Sequence, residues 1–330
     1  MIRKTKILAT LMCGAMLAGC LSGCSEEGSL AYKHITNMAT EGDGVYTDLG
    51  NYVIELAEYE DADYETARKA LDEKYAEIVG GACTACAKIN SEGDLLIGRN
   101  LDNQVSQCPA FLIHSTQDKY ETISLRYMNT EKYTYETFKT EGYLDTDFLN
   151  TISFCVTDSM NSEGLYMEAN VREPYPELVN TGTNPGKPRM CIPMVVAMVT
   201  RNCATVQEAL DYLRNDVDIY STPYMNETLP TQYGYYIGDA TGEFGVIEIA
   251  ANQINYMPLQ SAQANYYISP TWDAFEVNGA GFGRMQMALD GLQDVDTPYQ
   301  MLEHMEKCMW SRVVFDADYS YLDVNGVSHF

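Results

Sequence analysis

The chain has 330 residues, of which 46% are hydrophobic and 21% are charged, so it is long enough and apolar enough to bury a sizeable core. Its 21 basic and 47 acidic residues give a formal net charge of -26. A surface this negative repels phosphate backbones, which argues against a nucleic-acid partner. We attribute the excess of acidic residues to a solvated surface.

The first 24 residues have the pattern of an export signal, with three basic side chains ahead of an apolar run that is too short to span a bilayer (Arg3, Lys4 and Lys6; 7–19). The run is followed by two sequences that resemble the bacterial lipoprotein box, one ending in Cys20 and the other in Cys24. We therefore predict an exported protein, lipidated at Cys24 or Cys20, that is held at the bacterial cell surface by this anchor alone. An ordinary secretory signal with incidental cysteines is the alternative.

Ten cysteines favour disulfide bonds if the chain is exported. Three of the ten lie in the signal region, and the odd number that remains is consistent with one thiol kept free for chemistry (13, 20 and 24). Cys83 and Cys86 form a Cys-x-x-Cys pair, which also occurs in redox and zinc sites. Because this pair stands alone and the four histidines are scattered, we expect no metal and no cofactor (34, 114, 304 and 329).

Residues 25–82 are acidic and have a helical pattern, so we predict a helical prosegment there. Asp63 can cap a helix at 64–79, and Gly80 and Gly81 can end it. Four apolar side chains recur on one face of this helix (Ala67, Leu71, Tyr75 and Ile78). An amphipathic helix needs a surface to pack on, although a simple spacer between membrane and enzyme is the alternative.

The stretch 83–102 has the pattern of a β-hairpin, with two apolar runs joined by turn residues (Ser91, Glu92, Gly93 and Asp94). Antiparallel pairing returns the end of the second strand to the beginning of the first. We therefore expect Arg99 and Asp102 beside Cys83. A guanidinium there supports thiolate character in the cysteine, and a carboxylate can orient an amine or the guanidinium.

Cys83-Thr84, followed by a hairpin and Gly98-Arg99-Asn100-Leu101-Asp102, resembles the N-terminal motif of the choloylglycine hydrolase family, which includes bile salt hydrolases and penicillin V acylases. Arg99 and Asp102 have the family's offsets when they are counted from Cys83, but not from Cys86. The resemblance therefore implies that Cys83 is the nucleophile. It also implies the fold of the N-terminal nucleophile (Ntn) hydrolases, an α+β sandwich of four layers in the order αββα.

In Ntn hydrolases the catalytic residue becomes the first residue of the mature chain. The resemblance implies a cut between Ala82 and Cys83, made by the thiol on its own preceding carbonyl, and a catalytic domain at 83–330. The free cysteine then combines the nucleophilic thiol with its own α-amine as the base. We expect the prosegment 25–82 to remain as a bound partner, as it does in some relatives.

Further strands and helices are expected downstream of the hairpin. Runs rich in tyrosine, threonine and isoleucine predict strands at several places (111–114, 120–125, within 151–170 around a turn at 161–164, 233–238 and 244–250). Helical periodicity and capping residues predict four helices (193–202, 205–213, 283–292 and 298–309). This order is consistent with the four-layer α+β architecture.

The resemblance implies three further site residues. Asn170, which follows a Met-Asn-x-x-Gly-Leu motif, resembles a family asparagine that helps to bind the oxyanion. Asn265 comes after a Gly-Asp-x-x-Gly segment at 238–242 and resembles the family's main oxyanion donor, because an amide can stabilise that charge without a proton transfer. Arg284 resembles a late family arginine near the nucleophile. An ordinary turn asparagine and a surface arginine are the alternatives for the last two.

The function implied is hydrolysis of a linear, non-peptide amide C–N bond in an N-acylated small molecule. An acyltransferase that uses the same site is an alternative. A surface-anchored lipoprotein that binds small molecules and has lost activity is another, from a different class. The chain ends at Phe330, ahead of the closing strand hairpin expected for the family, so we expect a C-terminal truncation.

Overall fold

The computed structural model of the chain describes several ranges of residues (34–38, 51–56, 82–102, 107–114, 120–129, 154–172, 175–222, 232–275, 281–308, 321–322 and 328–329). The strands are β1 (His34–Met38), β2 (Asn51–Leu56), β3 (Ala82–Ile89), β4 (Leu95–Asp102), β5 (Gln107–His114), β6 (Thr122–Asn129), β7 (Asp158–Asn161), β8 (Tyr166–Val171), β9 (Arg189–Cys191), β10 (Asp218–Tyr220), β11 (Tyr233–Gly238), β12 (Phe244–Ala250), β13 (Gln253–Pro258), β14 (Ala262–Gln263), β15 (Tyr321–Leu322) and β16 (Ser328–His329). The α-helices are α1 (Val195–Asn202), α2 (Val206–Asn215), α3 (Phe282–Leu289) and α4 (Pro298–Lys307). Short 3-10 helices are also present (Pro176–Leu178, Ile192–Met194, Pro270–Phe275 and Leu292–Asp294).

The strands form one large sheet, one small sheet and two short ladders. The large sheet has nine strands in the order β1-β2-β5-β6-β7-β8-β11-β12-β13, and its β2–β5 pair is parallel whereas the other neighbours are antiparallel. The small sheet has the order β14-β3-β4. Strands β9 and β10 pair in parallel, and β15 and β16 pair antiparallel.

Helices α1 and α2 cover one face of the large sheet. The buried positions of α2 recur at helical spacing, so that one apolar face points to the sheet (Val206, Ala209, Leu210 and Leu213). This face and α1, which is buried from Val195 to Arg201, share a core with side chains from β11 and β12, among them Tyr235 and Ile247. Burial of such a continuous apolar cluster is the main force that holds the two layers together.

The two sheets pack face to face, and α3 and α4 cover the far side of the small sheet. Ala85 and Ala87 of β3 pack against Tyr236 and Val246 of the large sheet. On the opposite face of β3, Cys86 packs in a separate core with residues of α3 and α4. Successive residues of a strand point to opposite faces, so one short strand serves both cores. The layers are therefore stacked in the order αββα, which confirms the predicted α+β fold.

Most of the predicted elements are present, with corrections at their ends. The hairpin has its turn where it was expected, with Gly93 in the left-handed region at φ 89°. Thr205 caps α2 by accepting from the Glu208 N–H. A strand was predicted within 151–170, but the described residues 154–157 are not strand, and β7 begins at Asp158. The helix predicted at 283–292 ends earlier, because Gly291 has φ 77° and starts a separate 3-10 turn.

The prediction that 25–82 is helical is wrong in part, because β1 and β2 lie in it. The sequence Asn51-Tyr52-Val53-Ile54-Glu55-Leu56 is rich in β-branched and aromatic residues, and β2 finds a partner in β5. The helix predicted at 64–79 and the signal at 1–24 lie outside the described residues. Within the described part of the chain, no helix is long and apolar enough to cross a membrane.

The disulfides expected of an exported chain are not formed by the cysteines that the structure describes. The six cysteines whose side chains the structure describes are buried, and no disulfide joins them (Cys83, Cys86, Cys155, Cys191, Cys203 and Cys308). Five of them belong to hydrophobic clusters, where cysteine packs as a small hydrophobic residue, and Cys83 is the exception (Cys86, Cys155, Cys191, Cys203 and Cys308). The expectation of one free thiol among paired ones is therefore wrong for this part of the chain.

Candidate active site

Cys83 lies near the beginning of β3, on the face of the small sheet that meets the large sheet. It pairs with Leu101, and Ala85 two residues on pairs with Arg99, so the side chains of Cys83 and Arg99 share one face. The cysteine is only 1% exposed. In the structure it is still joined to Ala82, so its nitrogen is a peptide amide. The antiparallel register of the hairpin is thus what brings Arg99 to the thiol, as predicted.

Arg99 is the charged centre of the site. Its Nη2 lies 3.7 Å from the Cys83 Sγ and donates to the carbonyl of Ala169 at 2.9 Å. Its Nη1 and Nε form ion pairs with Asp158 and Glu168, respectively. Burial alone would lower the pKa of the guanidinium, but the two carboxylates outweigh it and raise the pKa of Arg99 well above its usual value. Arg99 is therefore a permanent cation with a fixed orientation next to the sulfur.

The backbone of Cys83 is held by Asn265 and Arg284. The Cys83 N–H donates to the Asn265 Oδ1 at 2.8 Å, and the Cys83 carbonyl accepts from the Arg284 Nη1 at 2.9 Å. Arg284 also donates to the Thr84 Oγ1 at 3.0 Å and, through Nη2, to the Asn265 Oδ1 at 2.7 Å. It is completely buried, so the alternative of a surface arginine is wrong.

Gly281 makes room for this arginine at the start of α3. A Cβ built on it would lie 2.5 Å from the Arg284 Nη2 and 2.9 Å from the Ala264 Cβ. The residue also has φ 103°, which an L-residue with a side chain rarely adopts. Both the conformation and the space therefore require glycine here.

Asn170 offers an amide that has no partner within the described part of the chain. The residue is fully buried in β8, and neither its Nδ2 nor its Oδ1 makes a hydrogen bond there. Alternation along β8 places it on the same face as Glu168, which contacts Arg99. A buried amide without partners is costly, which is the condition expected of a group that awaits a ligand.

Asp102 is the predicted site residue about which the structure says least. Its backbone pairs with Ala82 at the end of the hairpin, next to the Cys83–Leu101 pair. Its side chain lies outside the described part, so the role of its carboxylate stays a prediction. Three of the other predicted residues contact Cys83, namely Arg99, Asn265 and Arg284. Asn170 lies on the strand face of Glu168, which contacts Arg99.

Sequence reasoning missed Asp158 and Glu168, the two carboxylates that hold Arg99. Each left a signal. Glu168 stands two residues before Asn170 in a predicted strand, so the two had to share a face. Asp158 lies close before the Met-Asn motif that begins at Met160, and it also accepts from the Tyr166 hydroxyl at 2.9 Å. A charged residue on a buried strand face must find a partner, and Arg99 is that partner.

Burial shifts the pKa of two groups that both contact Arg99, the Cys83 thiol and the Glu168 carboxyl. It raises the pKa of the Cys83 thiol to about 11, and Arg99 lowers that pKa only in part. Burial likewise raises the pKa of Glu168 to about 7, against the lowering effect of Arg99. Asp158, the second carboxylate on the same guanidinium, adds to the increase. In the uncut chain the thiol is therefore neutral near pH 7, and Glu168 changes its charge in that range.

A pH dependence of stability follows from Glu168. Its pKa is higher in the folded chain than the ordinary 4.5, so its contribution is fully present below about pH 4.5 and is lost as the pH rises through about 7. We expect the unfolding free energy of the wild type, relative to Glu168→Gln, to fall by about 1–3 kcal/mol between pH 4.5 and 8. Urea unfolding at several pH values measures the difference. Glu177→Gln, which removes an exposed carboxylate, is the control.

The described residues offer no site for a metal. No group of three or more histidine, cysteine or acidic side chains in the described ranges is arranged to hold an ion. What these residues can do is hold a thiol, stabilise a negative charge beside it and keep the attached nitrogen in place.

Three comparisons bear on this site. Residues 83–275, more than half of the chain, match the family model of the linear amide C–N hydrolases, choloylglycine hydrolase family. A variant of the conjugated bile acid hydrolase from Clostridium perfringens is similar at 21% identity, with a TM-score of 0.41 over 58% of this chain and 55% of that one. Penicillin V acylase from Agrobacterium tumefaciens is similar at 15% identity, with a TM-score of 0.44 over 70% of this chain and 72% of that one. The chain thus spans about half the length of the bile acid hydrolase, and no curated protein matches it.

Proposed function

Because the chain belongs to the choloylglycine hydrolase family of linear amide C–N hydrolases, we propose that it hydrolyses the non-peptide amide bond of an N-acylated small molecule, with Cys83 as the N-terminal nucleophile. One observation carries this proposal. Both functional parts of an N-terminal cysteine have suitable partners, since its nitrogen is bound by Asn265 at 2.8 Å and its sulfur lies 3.7 Å from Arg99. A packing cysteine needs neither partner.

The first step is the release of Cys83 from Ala82. The thiol of Cys83 attacks the Ala82 carbonyl carbon, so that a C–S bond forms, the C–N bond breaks and the nitrogen takes up the thiol proton. Water then hydrolyses the thioester, which leaves a carboxylate on Ala82 and a free thiol and α-amine on Cys83. Arg284 and Asn265 hold the atoms on both sides of the Cys83 Cα during this change.

The mature cysteine then acts on the amide substrate. Its α-amine, with an ordinary pKa of about 7.7–8.0, takes the thiol proton, and the Asn265 Oδ1 keeps that amine beside the sulfur. The thiolate attacks the substrate carbonyl, and the cysteine ammonium returns its proton to the leaving amine. Water, deprotonated by the same α-amine, hydrolyses the remaining thioester and frees the acyl group as a carboxylate.

The oxyanion of the tetrahedral intermediate is assigned to two amides. Asn170 supplies one through its buried Nδ2, which has no partner in the described part of the chain. We assign the Nδ2 of Asn265 as the other donor, in addition to the bond that it donates to the Val171 carbonyl at 2.9 Å. A lost donor of this kind costs about 10²-fold or more in turnover.

Export and retention of the prosegment are further parts of the proposal. The signal pattern at 1–24, with Cys24 or Cys20 as the lipidation site, supports a location at the bacterial cell surface. Strand β2, which lies within the prosegment, pairs along its length with β5 of the catalytic domain. A chain cut before Cys83 would keep that pairing, so we expect the fragment that contains β2 to co-elute with 83–330 in native gel filtration. Its loss on cutting would contradict retention.

Cutting should also change the reactivity of the nucleophile. At a pKa of about 11, roughly one Cys83 thiol in a thousand is ionised at pH 8, and the side chain is buried. A free α-amine and an open N-terminus should both increase reactivity. In a preparation that contains both forms, we expect iodoacetamide to modify cut Cys83 at least about tenfold faster than uncut Cys83. Mass spectrometry of the two Cys83 peptides measures both rates, and equal rates would contradict the proposed activation.

The test of function is an acyl panel applied to the cut protein. Suitable substrates are N-acyl amino acids, acyl-homoserine lactones, penicillin V and conjugated bile acids, each measured by release of the amine. We expect hydrolysis of at least one class and none in Cys83→Ala. Product formed only when a second amine is added would identify an acyltransferase. Ligand binding without turnover by any member would identify the binding lipoprotein and contradict the proposal.

A further inference from the structure

Arg172 contacts the segment that carries Asn265 on its N-terminal side. The arginine is fully buried just after β8, and its Nη1 donates to the carbonyl of Ala264. Its Nη2 donates to the Gln263 Oε1 at 2.9 Å. One guanidinium thus fixes the two residues that precede Asn265, and its planar shape suits two such contacts at once.

Glu248 holds the same segment on its C-terminal side. Its Oε1 and Oε2 accept from the backbone N–H groups of Ile268 and Ser269, at 2.9 and 3.1 Å. Its Oε1 also lies 3.5 Å from the Arg172 Nη2, with both side chains fully buried. Asn265 is therefore enclosed between the two contact sites of a single ion pair.

The guanidinium of this ion pair occupies a space on one face of the large sheet, where a glycine has no side chain. Asn170, Gly234 and Glu248 stand in one row across β8, β11 and β12, with their positions on the same face of the sheet. A Cβ on Gly234 would lie 2.0 Å from the Arg172 Nη2, so the glycine leaves the space that the guanidinium occupies. The ion pair between Arg172 and Glu248 therefore lies beside Asn170, one of the two amides assigned to the oxyanion.

Gln263 connects this ion pair with the one on Arg99. Its Nε2 donates to the Glu168 Oε1 at 2.8 Å while its Oε1 accepts from Arg172. The amide can satisfy both contacts in only one orientation. Glu168, which contacts Arg99, and the segment that carries Asn265 are therefore parts of one hydrogen-bonded network.

We infer that Arg172 and Glu248 are positioning residues that set the location of the Asn265 amide for oxyanion binding. The inference rests on the proposed function for its kinetic consequence, but not for its structural one. Neither side chain touches the sulfur in the structure, and both act through backbone atoms on either side of Asn265. A displacement of about 1 Å in such a donor is enough to cost about 10²-fold in turnover.

The test combines hydrogen exchange with kinetics in Arg172→Met. We expect the peptide covering 263–269 to exchange at least about tenfold faster than in the wild type, because the contacts of both flanks are weakened. We also expect kcat to fall by about 10²-fold with KM changed by less than about threefold, because the donor acts mainly in the transition state. If the single variant does not fold, Arg172→Met/Glu248→Leu removes both charges and should fold, with the same two effects.

The control is Arg201→Met, which removes another buried arginine, one that lies in α1 and stacks on the Phe154 ring. It should lower stability without changing exchange at 263–269 or kcat. Unchanged exchange of 263–269 in Arg172→Met, or faster exchange with an unchanged kcat, would overturn the inference. A wild type that hydrolyses no amide would instead contradict the proposed function, while the exchange result would still decide whether Arg172 holds this segment.

Discussion

Replacing Cys83 with alanine is expected to abolish both chain cleavage and amide hydrolysis. The same sulfur is assigned to both reactions, and no other described thiol is held by Arg99 as Cys83 is, at 3.7 Å. We expect turnover to fall by at least about 10⁴-fold, since loss of a nucleophile removes the covalent route. Denaturing electrophoresis shows whether the chain stays uncut, and amine release from the best substrate measures turnover.

Cys86→Ala is the matched control for this variant. Cys86 lies in the same strand, but its Sγ faces the other core and contacts the sulfurs of Met301 and Met305 at 3.6 and 3.3 Å. Its loss should create a small cavity and lower the unfolding free energy by about 1 kcal/mol, with cleavage and turnover retained. Turnover retained in Cys83→Ala, or lost equally in both variants, would refute the assignment of the nucleophile.

The second large effect is expected from Arg99→Met. The change leaves Asp158 and Glu168 buried without their shared cation, and breaking a buried pair in this way costs about 3–5 kcal/mol. Burial would then favour protonation of Glu168, whose pKa it already raises. We expect a lower unfolding free energy, strongest above pH 7, and turnover reduced by at least about 10²-fold. Urea unfolding and amine release measure the two effects.

Two further variants separate stability from chemistry at Arg99. Arg99→Met/Glu168→Gln removes one of the orphaned charges and should recover part of the stability without recovering turnover. Arg99→Lys keeps a positive charge, but one ammonium cannot reach both carboxylates, the Ala169 carbonyl and the sulfur together. Its turnover should stay low. A stable, active Arg99→Met protein would contradict the central position of this guanidinium.

The part of the site that sequence could predict is the part specified by local structure. The turn at 91–94 sets the register of the hairpin, and that register places Arg99 opposite Ala85 and on the same face as Cys83. Thr205 and its partner at Glu208 likewise fixed the beginning of a helix through contacts three residues apart. Such features need no knowledge of the distant chain.

The part that sequence did not predict depends on contacts between distant segments. Arg99 meets Asp158 and Glu168 only because β4 lies across from β7 and β8 in the stacked sheets. The helical prediction for 25–82 failed over β1 and β2 for a similar reason, since β2 is stabilised by pairing with β5. Alternation along β8 would have marked Glu168 as a buried charge, but not the identity of its partner.

The most direct measurement is the mass and N-terminal sequence of the purified protein, recorded on the same sample whose amide hydrolysis is assayed. We predict that the active species begins at Cys83, and that its share of the sample rises in step with the hydrolytic rate. An active sample in which the bond between Ala82 and Cys83 is intact would contradict the account, because the α-amine that serves as the base would not exist.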